Sequence, residues 1–275
     1  MLYHQSVLES ALFHPEAERS WFLKATADVL STIGTKDSFP CPFSKIAVKN
    51  NNLLFSFVED GTPTSLKKCA GDLRDYLDRS RNWDGNLKTA EPLLMAFNPH
   101  HFFGECVEDY HRMGWDVLQF WHDHDPKPWP ENIARDPHSP FWSMCYDGTQ
   151  IFINMSNPAH QLRRSRNLGS AMTFVINPRE RFDRIAGNNP KGKKVRAFVR
   201  KRVENYDLIG HSPALGSFQA GDLEWVQYGL KENNEIPKGK CPFHHHELTA
   251  EEFGRSSVGE HSLYERVSFR ERKSA

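Results

Sequence analysis

Trp21, Phe22, Ala25, Val29, Leu30 and Ile33 recur at helical spacing, so residues 15–33 are predicted to form an amphipathic helix. Pro15 suits its first turn, and Gly34 can supply a left-handed stop. Phe39-Pro40-Cys41-Pro42-Phe43 reads as non-helical, and residues 46–59 read as a hairpin turning through Asn50-Asn51-Asn52. Leu66, Cys69, Ala70, Leu73, Tyr76 and Leu77 mark a second amphipathic helix. A short buried strand at 93–97 ends at Asn98-Pro99, and a helix covers 103–121. Five prolines make residues 122–140 a long loop. Strands at 141–146 and 151–155 flank Asp147-Gly148, a strong hairpin turn, and another strand spans 171–176. Residues 192–206 form a basic helix that buries Val195, Phe198, Val199, Val203 and Tyr206, and residues 225–230 suit a last strand.

Hairpins and helices alternate without a repeating βα unit, which predicts an α+β fold with an antiparallel or mixed central sheet and helices packed on it. A single domain is expected over residues 1–248, with a charged, weakly ordered tail at 249–275. The 275 residues hold 35 Lys+Arg against 35 Asp+Glu, so no global field favours nucleic acid or an acidic membrane surface. No apolar run approaches the roughly 20 residues that span a bilayer, and no secretory signal is legible, so cytoplasm is the default. Five cysteines without a CxxC read as reduced thiols.

The neutral total hides one asymmetry. Between His160 and Arg202 stand thirteen Lys and Arg against Glu180 and Asp183, a local excess of eleven positive charges. Guanidinium forks bind carboxylates and phosphates, so this block is either an anion site or a solvated, internally paired face. His160 follows a strand end just ahead of Arg163, Arg164 and Arg166, where a neutral imidazole could ligate a metal beside an anionic cofactor. Cys41 and Cys241 each open a Cys-Pro-Phe, and each is either a soft-metal ligand or a buried small hydrophobe. The second continues as His244-His245-His246, which otherwise reads as a solvent-facing run, and His122-Asp123-His124-Asp125 is a weaker chelating candidate. No GxGxxG, GxxxxGK[ST] or GxSxG is present, which removes the usual support for nicotinamide, P-loop and serine-hydrolase chemistry.

Three blocks together carry a family likeness: Phe39-Pro-Cys-Pro-Phe-Ser-Lys-Ile-Ala47, the run from Asn154 through Asn-Pro-Ala-His160 and Arg163-Arg-Ser-Arg166 to Gly169, and residues 195–207 leading to Trp225-Val-Gln-Tyr228. Over about residues 35–243 the chain resembles the YqcI/YcgG family. Some members of that family are haem-dependent enzymes that N-hydroxylate guanidine or amine groups in natural-product pathways, including arginine to Nω-hydroxyarginine on the route to D-cycloserine. The resemblance therefore implies haem b, dioxygen as co-substrate, an external electron donor or reductase and a small guanidine or amine substrate. His160 is the expected iron ligand and Cys41 the alternative, with Arg163, Arg164, Arg166, Arg196 and Arg200 as candidate partners of the haem propionates. Asp123, Asp125, Glu131 and Asp136 are the carboxylates suggested for a guanidinium. A non-catalytic haem- or anion-binding protein is the alternative reading, a nucleic-acid surface ranks last, and a homodimer is allowed but not required.

Overall fold

From one edge to the other, the six strands of a single mixed sheet are β1 (Tyr3–His4), β2 (Leu54–Val58), β3 (Leu93–Phe97), β6 (Thr173–Pro178), β5 (Thr149–Ser156) and β4 (Cys145–Tyr146). The structure is a computed structural model and describes residues 1–14, 17, 20–35 and 39–246. The expectations for Pro15 and for the tail beyond Thr249 lie outside the described residues. β2 and β3 run parallel, with Leu54 opposite Leu93, and every other neighbouring pair is antiparallel. The chain is thus α+β, and its sheet is mixed because helix α4 (Pro63–Ser80) carries the crossover from β2 to β3. Asp147 and Gly148, at φ 49° and 71°, make the β4–β5 turn that the Asp-Gly pair predicts.

Side chains alternate across the sheet, and one face is a continuous core. Met95, Phe97, Ile153, Met155 and Phe174 pack there against Leu73, Tyr76 and Leu77 of α4 and against Leu118, Phe120 and Trp121 of helix α5 (Val107–Asp123). α5 sits so close to the sheet that a Cβ on Gly114 would stand 2.8 Å from the Met155 sulfur. The opposite face carries Leu94, Phe152 and Val175; it packs in part against Leu8, Leu23 and Val29 of the N-terminal helices, and α3 (Pro42–Lys49), α6 (Arg179–Ala186) and α7 (Pro190–Tyr206) roof the rest.

Four expectations are corrected. Residues 42–49 are a helix, not the first arm of a hairpin. Pro42 stands in its first turn, where a missing N–H costs nothing, and Cys41 is the N-cap. The asparagines end that helix: Asn51 adopts φ 55° and the Asn52 amide donates to the Ala47 carbonyl at 2.9 Å. Trp225–Tyr228 is a short helix, α8, rather than a strand. Phe198 of α7 is 55% exposed, while Val195, Val199 and Val203 face the cavity described below. The early helix spans Trp21–Leu30 as α2 and runs on through Gly34 in a wider turn over Ser31–Thr35. Helix α1 (Gln5–Ala11) and helix α6 have no counterpart in the sequence reading. No helix among the described residues is long and apolar enough to cross a membrane.

Candidate active site

Between the sheet and its roof lies a cavity of about 340 Å³, a size that suits small-molecule and cofactor clefts. Leu94, Phe152 and Val175 form its floor, and Phe43, Phe182, Ile185, Val199 and Val203 close it from α3, α6 and α7. Its polar lining includes Asn154, Asn177, Ser165, Arg163 and Arg166, with Arg196 on α7 and Arg181 on α6.

Cys41 stands in the cavity wall. As the N-cap of α3 its sulfur accepts the Ser44 backbone N–H at 3.4 Å, while Ser44 Oγ donates to the Cys41 carbonyl at 2.9 Å. Pro40 and Pro42 on either side supply no N–H, and a second hold comes from outside the segment. Arg202 of α7 supplies it: Nη2 donates to the Phe39 carbonyl at 2.7 Å and Nε to the Pro40 carbonyl at 3.0 Å. The other Cys-Pro-Phe behaves differently. Cys241 is buried in the main core and burial pushes its thiol up to about 12, the inert state of a structural cysteine.

The arginine block serves the backbone first. Arg163 is fully buried; Nε donates to the Lys231 carbonyl at 2.8 Å and Nη2 to the Asn233 carbonyl and Asn234 Oδ1 at 3.1 and 2.8 Å. Arg166 donates to the carbonyls of Tyr228 and Gln227 and to Asn154 Oδ1. Arg164 reaches the Tyr206 carbonyl, Arg196 those of Ala186 and Gly187, and Arg200 that of Leu215 at 2.5 Å. Two of the five predicted arginines, Arg164 and Arg200, lie outside the cavity lining. The other three line it, and no carboxylate forms an ion pair with them among the described residues. Burial, reinforced by the Arg163 charge, pushes Arg166 down to about 9. Arg163 Nη1 is buried and has no hydrogen-bond partner. Asp207 and Glu232 act on Arg163, and Asp207 on Arg166, only from a distance, so a buried guanidinium nitrogen without a hydrogen-bond partner beside an apolar cleft favours an anionic occupant.

His160 is 1% exposed but is not among the cavity-lining residues. Its Nδ1 lies 2.6 Å from Glu232 Oε2, and Glu232 Oε1 accepts the backbone N–H groups of Gln161 (2.7 Å) and Leu162. Burial outweighs the carboxylate and lowers His160 to about 4, so the ring is neutral. The nearest imidazole is that of His111 on α5, 6.1 Å away between ring centres, which burial lowers to about 3. Segment 227–234, pinned by Arg163 and Arg166, carries Glu232 to His160 and sets Gly229 against the His111 ring. Nothing in the sequence pattern marks Glu232, His111 or Arg202 as partners of these residues.

The suggested acidic residues stay away from the cavity. Asp125 is buried, accepts the Lys127 and Asp147 amides, and is raised to about 7 by burial. Asp123 lies 3.2 Å from His246 Nε2 and Asp136 accepts the His138 amide, and neither they nor Glu131 line the cavity. The carboxylate behind the cavity wall is Asp207, which accepts the Ser165 amide and hydroxyl at 2.7 and 2.8 Å. His122 stands 5.0 Å from both His245 and His246, bringing the two histidine motifs together. Among the described residues no group of three metal-capable side chains converges.

Comparison with known proteins follows the same stretch of chain. The YqcI/YcgG family model matches residues 28–244. A Streptomyces lavendulae protein provisionally named N(omega)-hydroxy-L-arginine synthase DcsA is 47% identical over 223 residues, 81% of this chain and 84% of its own. The uncharacterized proteins YqcI and YcgG of Bacillus subtilis (strain 168) are 30% and 31% identical, each over 88% of this chain and 94% of their own. No solved structure matches significantly.

Proposed function

The chain belongs to the YqcI/YcgG family, and from that premise we propose that it is a haem-dependent monooxygenase hydroxylating a guanidine nitrogen, with L-arginine the first substrate to test. One observation carries the reading: an apolar cavity with the N-cap cysteine of α3 in its wall and a buried guanidinium, Arg163, whose Nη1 has no hydrogen-bond partner. The name given to the Streptomyces relative supports the substrate.

The donor set fits the group. Cys41 is the residue that would hold the iron, in preference to His160, because Cys41 is among the residues that line the cavity and His160 is not. A coordinating thiol is deprotonated by the metal, and the Ser44 amide and the α3 N-terminus already face that sulfur. Arg163 and Arg166 would meet the propionates, with Arg163 Nη1 the donor that has no other partner. Bound haem supplies dioxygen activation, with electrons delivered from an external donor.

The remaining work falls to the chain. Phe43, Phe182 and the α7 valines exclude water from the cavity, and Arg202 keeps Cys41 in its wall. Asn154 and Asn177 reach the cavity from the sheet and offer neutral amides to orient a substrate's polar end. The test is incubation of haem-loaded protein with arginine, dioxygen and a reductant, followed by mass spectrometry. A product heavier by one oxygen, labelled from ¹⁸O₂ and absent without haem, supports the reading. Haem binding without product from arginine, agmatine or simple amines would leave a haem carrier instead.

A further inference from the structure

We propose that Arg202 is the positioning residue of Cys41, fixing from α7 the sulfur that the cavity presents. The inference rests on the reading of Cys41 as the iron-holding residue. Cys41 lies between two prolines that donate no amide; the Ser44 amide and hydroxyl hold it from the α3 side, and the two residues before it are held by Arg202. The carbonyls of Phe39 and Pro40 both point at one guanidinium, through Nη2 at 2.7 Å and Nε at 3.0 Å. A planar fork satisfies two carbonyls in one geometry, which an ammonium cannot do. Arg202 stands beside Val199 and Val203, which line the same cavity from α7, so the helix that shapes the pocket also sets its thiol. Phe198 lies under the guanidinium at 5.8 Å from its ring centre and covers it on the outer side.

The other arginine contacts show why this one is distinct. Arg163 and Arg166 hold segment 227–234, Arg164 and Arg200 tie α7 and its following loop, and none of these touches the Cys41 segment. Arg202 reaches 163 residues back along the chain to it.

The test uses the full chain in both haem-free and haem-loaded forms. In haem-free protein, iodoacetamide labelling is followed peptide by peptide, with exposed Cys106 as the internal control. Arg202→Met is expected to speed Cys41 labelling by at least about tenfold, the loss of roughly one charge-assisted hydrogen bond, with Cys106 unchanged. Arg202→Lys, which keeps the charge but not the fork, falls between. In haem-loaded protein both variants are expected to split the ferrous carbon monoxide Soret band into thiolate and non-thiolate populations, a change that simple loss of stability does not produce. If Arg202→Met does not fold, Arg202→Lys carries the same two readings. Wild-type labelling rates and an unsplit band in a folded variant overturn the proposal. Loss of the haem reading itself is seen separately, as a Cys41→Ala spectrum equal to wild type, and the labelling rates then still decide whether Arg202 holds Cys41.

Discussion

On the α4–α5 side of the sheet, Leu73, Tyr76, Phe120 and Trp121 are fully buried against Met95, Phe97 and Phe174. On the other side, Leu94, Phe152 and Val175 look across a cavity of about 340 Å³ towards α3, α6 and α7. The same strands serve both, since β5 and β6 alternate buried with half-buried residues. The first face holds the fold together by close packing. The second packs a smaller apolar cluster around Leu94 and Phe55 and leaves the cavity beside it, edged by arginines that bind backbone carbonyls. The close-packed core and the cavity are thereby separated by the thickness of one sheet, and substitutions on the two faces should differ in kind.

The largest stability effect belongs to the packed face. Leu73→Ala should lose about 2–5 kcal/mol in denaturant unfolding, whereas Val199→Ala, bordering existing space, should lose about 1 kcal/mol or less. Equal losses would break the contrast. Gly114→Ala should cost about 1–3 kcal/mol, because the added Cβ meets the Met155 sulfur at 2.8 Å. A neutral melting temperature would mean that α5 can lift from the sheet.

This contrast was only half visible in the sequence. Asp147-Gly148 declares its turn locally, and the apolar spacing of α4 declares its buried face, because both signals lie within a few residues. Cys41 misleads for a local reason: two prolines argue against a helix interior, yet one of them is well placed in a first turn. The basic block was legible as charge. Its partners were not, since Arg163 meets Lys231 across 68 residues and Arg202 meets Phe39 across 163. A carbonyl acceptor leaves no trace in residue type, so an arginine that staples backbone looks the same in sequence as one awaiting an anion. His160 shows another side of this: its strand-end position suggested a ligand, and the fold buries it outside the cavity lining with Nδ1 on Glu232 and Nε2 without a hydrogen-bond partner.

Protonation offers a finer contrast. His160 is held near 4 in the folded chain against about 6.5 when unfolded. The unfolded state therefore binds the proton first, and this residue's stabilisation is lost as pH falls from about 6.5 towards 4. The stability gap between wild type and His160→Gln should narrow by roughly 3 kcal/mol over that interval. Asp125 and Glu224, each raised to about 7 by burial, act in the opposite sense and gain stability as pH falls from 7, so only the wild-type-minus-variant difference isolates the histidine. A gap independent of pH would show that His160 titrates normally. The smallest effect is expected at exposed Arg164: Arg164→Ala removes a contact to the Tyr206 carbonyl and should shift stability by under about 1 kcal/mol without altering haem uptake.

In the proposed function Cys41 would hold the haem iron on the open face. The most direct test is the ferrous carbon monoxide spectrum of wild type, Cys41→Ala and His160→Ala, each purified with haem supplied. The account predicts a thiolate-type Soret position in wild type and in folded His160→Ala, and its loss in Cys41→Ala. A histidine-type spectrum that survives Cys41→Ala and disappears in His160→Ala would contradict it.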